Sequence, residues 1–124
     1  MKAHKTPSRA RAILEAVLAA LSFRLTRYEV AEESMLPVLA PGDWVLAVKR
    51  PRSPNVGDVV AIDHPDRPGF TLVKRVAAVD GDRLTVLGDR PEASVDSRLF
   101  GVIASDSVQA RLILVYRPLP MRPL

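Results

Sequence analysis

The 124-residue chain contains no cysteine. That excludes a disulfide scaffold, a thiolate metal site and a cysteine nucleophile, and it leaves the redox compartment open. Aromatic residues make up only 5% of the chain against 48% hydrophobic residues in all. The core must therefore be built from Val, Leu, Ile and Ala, and at this length it can be only a single modest one. Histidine, the usual partner of a hydroxyl nucleophile, occurs twice. His4 lies in the N-terminal arm, and His64 stands before a proline with Asp66 nearby, so a Ser-His-Asp arrangement has little support. Long hydrophobic runs are also missing. The stretch from Ala16 to Phe23 is the longest uncharged one in the N-terminal segment, far short of the ~20 residues a membrane span needs. Glu15 interrupts its apolar part and no small-x-small cleavage site follows, so no cleavable signal peptide is expected.

Charge is present but unevenly placed. Of the net +4, residues 1–27 hold Lys2, Lys5, Arg9, Arg11, Arg24 and Arg27 against Glu15 alone, a net +5, and the remainder is slightly acidic. A nucleic-acid-binding domain would carry its basic excess on the folded body. A basic arm fits an anionic membrane surface better, or is simply solvated. Within the arm, Ser8 is suited to cap a helix. Ile13, Leu14, Val17, Leu18, Leu21 and Leu25 then fall on one side of a helix over roughly 9–25, opposite Arg11, Glu15 and Ser22, with alanines between. Such a helix can lie on a bilayer or dock on the body.

From residue 28 the pattern changes to short β-like runs separated by turns. Trp44–Lys49, Val59–Asp63, Phe70–Val79, Arg83–Leu87, Leu99–Ala104 and Val108–Tyr116 read as strands. Asp80-Gly81-Asp82 reads as a hairpin turn, and 50–58, 64–69 and 88–98 read as loops. These runs predict a mainly β fold, compact and curved, with one N-terminal amphipathic helix. The expected organisation is a basic arm at 1–27, an all-β body at 28–118 and a Pro-rich tail at 119–124.

The chemistry begins at Glu33-Ser34-Met35-Leu36-Pro37. Pro37 removes a backbone donor and keeps Leu36 from helical angles, so the chain must turn just after Ser34. A hydroxyl on such a corner can be offered to a ligand with its own N–H facing the same way, as acyl transfer requires. Lysine is the other choice of base. Alternation along Phe70–Val79 places Lys74 on one face with Phe70, Leu72, Val76 and Ala78. A lysine pressed into apolar surroundings loses hydration of its charged form and can become a neutral proton acceptor. The alternative is a stem that packs while the ammonium reaches water.

Several boxes occur together: Ser34-Met35-x-Pro37, Gly42-Asp43, Gly57-Asp58, Val73-Lys74-Arg75-Val76, Gly88-Asp89 and Ser94-x-Asp96-Ser97-Arg98-x-x-Gly101. In order and approximate spacing they resemble the type I signal peptidase family. The resemblance implies a fold of coiled, barrel-like β-sheets and a serine endopeptidase that cleaves leaders from precursor proteins. It makes Ser34 the nucleophile and Lys74 the general base, with Ser94 orienting the amine and an Asp96–Arg98 ion pair supporting the site. No metal or organic cofactor is implied. The chain departs from the family pattern at Glu32, where a small residue is usual, and at Arg90, where Asn is usual. Glu33 is a further departure, a second carboxylate, and an anion close to Lys74 would keep the amine charged. Shortness, and Tyr116-Arg117-Pro118 near the end, resemble the small branch that matures nickel superoxide dismutase precursors. Two other readings stay open: a self-cleaving repressor-type Ser/Lys peptidase, and an inactive β module that binds leader peptides. The expected location is membrane-associated or cytoplasmic, with peripheral contact to anionic membrane through 9–25 and no nucleic acid partner.

Overall fold

The computed structural model describes residues 8–49 and 51–124. His4, Lys2, Lys5 and the first residue of the 50–58 loop lie outside them. The elements, in chain order, are a helix α1 (Arg9–Leu21) and the strands β1 (Leu25–Glu29), β2 (Trp44–Lys49), β3 (Val59–Asp63), β4 (Thr71–Asp80) and β5 (Arg83–Leu87). A short helix α2 (Ser97–Phe100) follows, then β6 (Ile103–Ala104), β7 (Val108–Arg117) and β8 (Arg122–Pro123). The fold is mainly β, as expected. All eight strands join one antiparallel sheet in the order β1-β2-β7-β3-β4-β5-β6, with β8 added along β7. The sheet is open and does not close into a barrel.

Alternation divides the sheet's apolar residues into separate packing layers. Val45 and Ala47 of β2 and Leu112 of β7 face a cluster that also holds Val30, Met35 and Leu39. Leu46 and Val48, with Ile113 and Leu114, face the other way, against Ala12, Ala16 and Ala19 of α1. A further cluster lies around β3, β4 and β5, with Val60, Leu72, Val76 and Val86. The loop that follows β1 and the helix α1 therefore sit on opposite faces of β1–β2–β7.

Several boundaries differ from the sequence reading. α1 ends at Leu21, and Leu25 opens β1 instead of closing the helix. The stop is a backbone one: Arg24 N–H bonds the Ala19 carbonyl at 2.8 Å and Phe23 N–H bonds the Ala20 carbonyl at 3.1 Å. These are the paired bonds of a Schellman ending, with Phe23 at φ 58° where glycine is usual. The docked face is also not the expected one. The helix packs through its alanines, while Leu14, Val17, Leu18 and Leu21 are exposed. Small side chains let the helix lie close to the sheet, and Glu15 pairs with Arg111 of β7 beneath it, fixing its rotation. Phe70 lies outside β4 and is exposed, and a register shift between Val76 and Ala78 turns Ala78 outward, so only Leu72, Lys74 and Val76 share the inner face. The expected strand at 99–104 shrinks to Ile103–Ala104, because Asp96 caps a helical turn at Ser97–Phe100. The Pro-rich tail contributes β8.

Candidate active site

Ser34 lies in a loop whose base is closed by two backbone bonds: Val30 N–H to Asp43 O and Gly42 N–H to Val30 O, both 2.8 Å. Met35 and Leu39, fully buried and joined across Pro37 by a 2.9 Å bond from Leu39 N–H to the Met35 carbonyl, plug the loop into the core beneath it. Gly42 takes φ 92°, so the close of the loop requires a residue without a Cβ. Asp43 then braces the interior, accepting from Ala40 N–H at 2.9 Å and from Arg122 at 2.7 Å. Arg122 also donates to the Val38 carbonyl at 2.7 Å. A residue of the tail thus holds the serine loop, a role the sequence did not reveal. Ser34 itself is 4% exposed. Among the described residues, neither its hydroxyl nor its backbone N–H has a hydrogen-bond partner, and the hydroxyl retains contact with solvent.

Lys74 is 1% exposed, so its amine does not reach water along the surface. It pairs across the sheet with Val60, between Leu72 and Val76. Its Nζ donates to Ser94 Oγ at 3.1 Å. The Ser94 hydroxyl in turn donates to Asp96 at 2.6 Å, so that oxygen can only accept from the lysine. Burial pushes the Lys74 pKa below that of an ordinary lysine, against the opposing pull of Asp96 and Glu32, with Arg98 adding to the depression.

Asp96 is the hub of the supporting shell. Besides Ser94 it accepts from Gly88 N–H at 2.8 Å, from Arg98 N–H at 3.0 Å and from the Arg98 guanidinium. Burial alone would raise its pKa, but the Arg98 side chain, the Gly88 N–H, the Ser94 hydroxyl and the Arg98 N–H together hold it well below the usual carboxylate range. The carboxylate is therefore ionised at any working pH. Stability from this pairing is present above the unfolded pKa and is lost as pH falls from there towards the depressed one. Ser94, Asp96 and Arg98 do converge, but not from an extended strand. Ser94 follows a 3-10 turn, Asp96 caps α2 and Arg98 lies in its first turn.

Ser34 and Lys74 are linked through Gly88, with no hydrogen bond between the two side chains. A Cβ at Gly88 would meet both the Ser94 side chain and the Ser34 carbonyl. Arg90 N–H bonds that same carbonyl at 2.8 Å. Arg75, next to the lysine, clamps Asp89 through two bonds of 2.9 Å and donates to the Gly57 carbonyl, anchoring the 88–90 segment to β4. The sequence showed the Lys-Arg and Gly-Asp doublets, but not that they pair.

The carboxylates that stood out in the sequence have different fates. Glu33 lies 3.5 Å from Arg90, which also pairs with Glu92 at 2.9 Å. Two departures from the family pattern thus face each other, and it is Glu32, not Glu33, whose charge acts on Lys74. His64 takes no part. Its Nδ1 accepts from Asp66 N–H at 3.1 Å within a local turn and its ring lies against Phe100.

An open β-sheet buries a lysine amine, and the segment at Gly88 brings its Ser94 partner close to the strapped serine loop. Comparison with known proteins gives the chain a family. Residues 8–86 match the model of "Signal peptidase, peptidase S26", and the chain belongs to that family. The match includes Ser34 and Lys74 and ends before Gly88, Ser94, Asp96 and Arg98. The chain is 32% identical over 87 residues to signal peptidase I of Buchnera aphidicola subsp. Baizongia pistaciae, covering 58% of this chain and 28% of that protein. It is 33% identical over 106 residues to the mitochondrial ATP-independent inner membrane protease subunit 1b of Arabidopsis thaliana, covering 64% of this chain and 63% of that one. The chain thus spans less than a third of the first relative's length and under two thirds of the second's. Among the described residues, no helix is long and apolar enough to cross a membrane.

Proposed function

We propose that this protein is a serine endopeptidase that uses Ser34 as nucleophile and Lys74 as general base to remove an N-terminal leader from a precursor protein. The observation that carries the reading is Lys74. Its amine is buried, held below its ordinary pKa and hydrogen-bonded to Ser94, one glycine away from the Ser34 carbonyl. A neutral amine has a lone pair to accept the Ser34 hydroxyl proton as Oγ attacks the scissile carbonyl carbon. The Ser34 N–H, which no protein acceptor occupies, suits the oxyanion that forms. The protonated lysine then gives its proton to the departing amine as the C–N bond breaks. Water, deprotonated by the same lysine, hydrolyses the acyl-enzyme and frees Ser34. Catalytic hydrogen bonds commonly tighten only around substrate, which is where the Ser34–Lys74 contact belongs.

The rival reading, an inactive leader-binding module, rested on Glu32 and Glu33. Glu33 is engaged by Arg90 and leaves that reading with Glu32 alone. An acylating penem separates the two. Covalent labelling mapped to Ser34 by peptide mass analysis, and lost in Lys74→Met, is the expected result. A folded protein that takes up no label would leave the binding module as the function.

Glu32 gives a graded test of the base. Its carboxylate raises the Lys74 pKa, so Glu32→Gln removes a stabilising partner of the ammonium. The acid limb of kcat/KM should then move to lower pH, with more activity on the acidic side. An acid limb that stays in place would show that another group titrates.

A further inference from the structure

Ser34 is tied to the lysine side of the site by its own carbonyl, which accepts from Arg90 N–H at 2.8 Å. The other arm of its loop is held from β8. Leu39 N–H bonds the Met35 carbonyl, so the returning arm is fastened to the residue directly after Ser34. Arg122 grips that arm at two points. Its guanidinium donates to the Val38 carbonyl and to the Asp43 carboxylate, each at 2.7 Å. Val38 precedes Leu39, and Asp43 closes the loop through its bond with Val30.

Both bonds of the guanidinium end in the serine loop. The side chain is 42% exposed, so the core does not need it for packing. Its backbone is placed independently of the loop. β8 pairs with β7 through Leu114–Pro123 and Val115–Arg122, and Leu124 N–H bonds the Ile113 carbonyl at 3.1 Å. Leu124 packs against the cluster that holds Met35 and Leu39. A guanidinium suits this place because its planar fork meets two acceptors at a fixed separation, which an ammonium on a flexible stem does not. The carboxylate it meets is 5% exposed and has Ala40 N–H as its other partner. Without Arg122, that carboxylate is a buried charge without its cation, and it regains hydration only if the close of the loop moves outward.

We propose that Arg122 is a positioning residue, which acts through Val38 and Asp43 to set where the serine loop stands and hence where Ser34 meets the scissile carbonyl. Its consequence for catalysis rests on the Ser34/Lys74 reading, and the clamp itself does not. Ser34 is held between two anchors, Arg90 N–H on the side of Lys74 and Arg122 on the side of β8. Loss of the second lets the loop shift while the lysine, Ser94 and Asp96 stay where they are, since Arg122 bonds none of them. The expected effect is therefore on the rate of attack and not on the base.

The acylating penem, used on the full chain, tests this. Arg122→Ala should lower the maximal rate of Ser34 acylation by ~10²-fold, the scale set by displacing a reacting group about an ångström. The penem concentration for half-maximal rate should stay within about twofold, and the acid limb of the acylation rate should stay in place. Arg122→Lys, which keeps one of the two bonds, should lose only about tenfold. Millimolar guanidinium should restore part of the rate to Arg122→Ala and none to Lys74→Met. Amide exchange gives a readout that needs no activity. In Arg122→Ala the Leu39, Ala40 and Gly42 amides should lose protection while those of β2 and β7 keep theirs. An acylation rate in Arg122→Ala equal to the wild type's would overturn the proposal. So would protection lost equally from the loop and from β2 and β7, since Arg122 would then serve only general stability. Wild type that takes up no label counts against the Ser34/Lys74 reading alone, and loop exchange then decides the clamp: selective loss upholds it, and unchanged loop protection overturns it.

Discussion

Lys74→Met is expected to abolish peptidase activity, lowering kcat/KM by at least ~10³-fold, while leaving a folded protein at least as stable as the parent at neutral pH. Methionine keeps an unbranched stem between Leu72 and Val76 and removes a group whose charged form is poorly solvated there. Ser94 still donates to Asp96 and loses only the lysine donor. The sign of the pH effect follows from the direction of the shift. Lys74 has a folded pKa below its ordinary value of 10.5. Between the two values the unfolded chain binds a proton that the folded protein does not. Wild-type stability therefore rises with pH across that window and is lost as pH falls through it, by up to ~1.4 kcal/mol per pH unit. The methionine variant lacks this dependence. Denaturant unfolding of both proteins over a pH series checks it, and a constant difference between them would mean that Lys74 is not desolvated. The same pKa should appear as the acid limb of kcat/KM in the wild type. Lys74→Arg, which stays protonated, should be inactive throughout.

What the sequence revealed, and what it concealed, divides along the range of the interactions. Trp44–Lys49, Val59–Asp63 and Arg83–Leu87 were legible as strands because each is a short Val- or Leu-rich run bounded by turn residues. The corner after Ser34 was legible because Pro37 acts on its neighbours directly. The face of Lys74 followed from alternation, up to the register shift beyond Val76 that turned Ala78 outward. The docked side of α1 was not legible. A leucine stripe is the stronger local signal, and nothing in the helix tells that Arg111, 96 residues later, takes Glu15 and turns the alanines inward. The Arg122 brace on Asp43 and the Arg75 clamp on Asp89 are hidden for the same reason, since each joins segments that only the sheet order brings together. Glu33 and Arg90 looked like two separate departures from the family pattern. Their pairing became visible only once the 88–90 segment was placed against the Ser34 carbonyl. The cap at Asp96 was missed because Ser94, Asp96 and Arg98 fit an extended segment by spacing alone.

Gly88→Ala is expected to cost both activity and stability, although it adds only one methyl group at a position outside the proposed Ser34/Lys74 pair. A Cβ there would lie 2.7 Å from the Ser34 carbonyl oxygen, 2.5 Å from Ser94 Cβ and closer still to Ser94 Oγ. Glycine 88 cannot easily step aside, because its N–H is held by Asp96 at 2.8 Å and its carbonyl lies 3.5 Å from the Arg98 guanidinium. The strain must therefore pass to Ser94, to the serine loop or to both. Overpacking of this kind costs about 1–3 kcal/mol of stability. Displacing a catalytic group by about an ångström can cost ~10²-fold in rate. The loss should fall on kcat more than on KM. A second signature should accompany it, because Ser94 is the acceptor that holds the Lys74 amine. If Ser94 is the group that moves, the acid limb of kcat/KM shifts along with the fall in rate. If the serine loop moves instead, the rate falls and the limb stays where it is. Full activity, with an unchanged melt and pH profile, would show that the 88–94 segment relaxes freely, and that the close approach of Gly88 to Ser34 does not position the site.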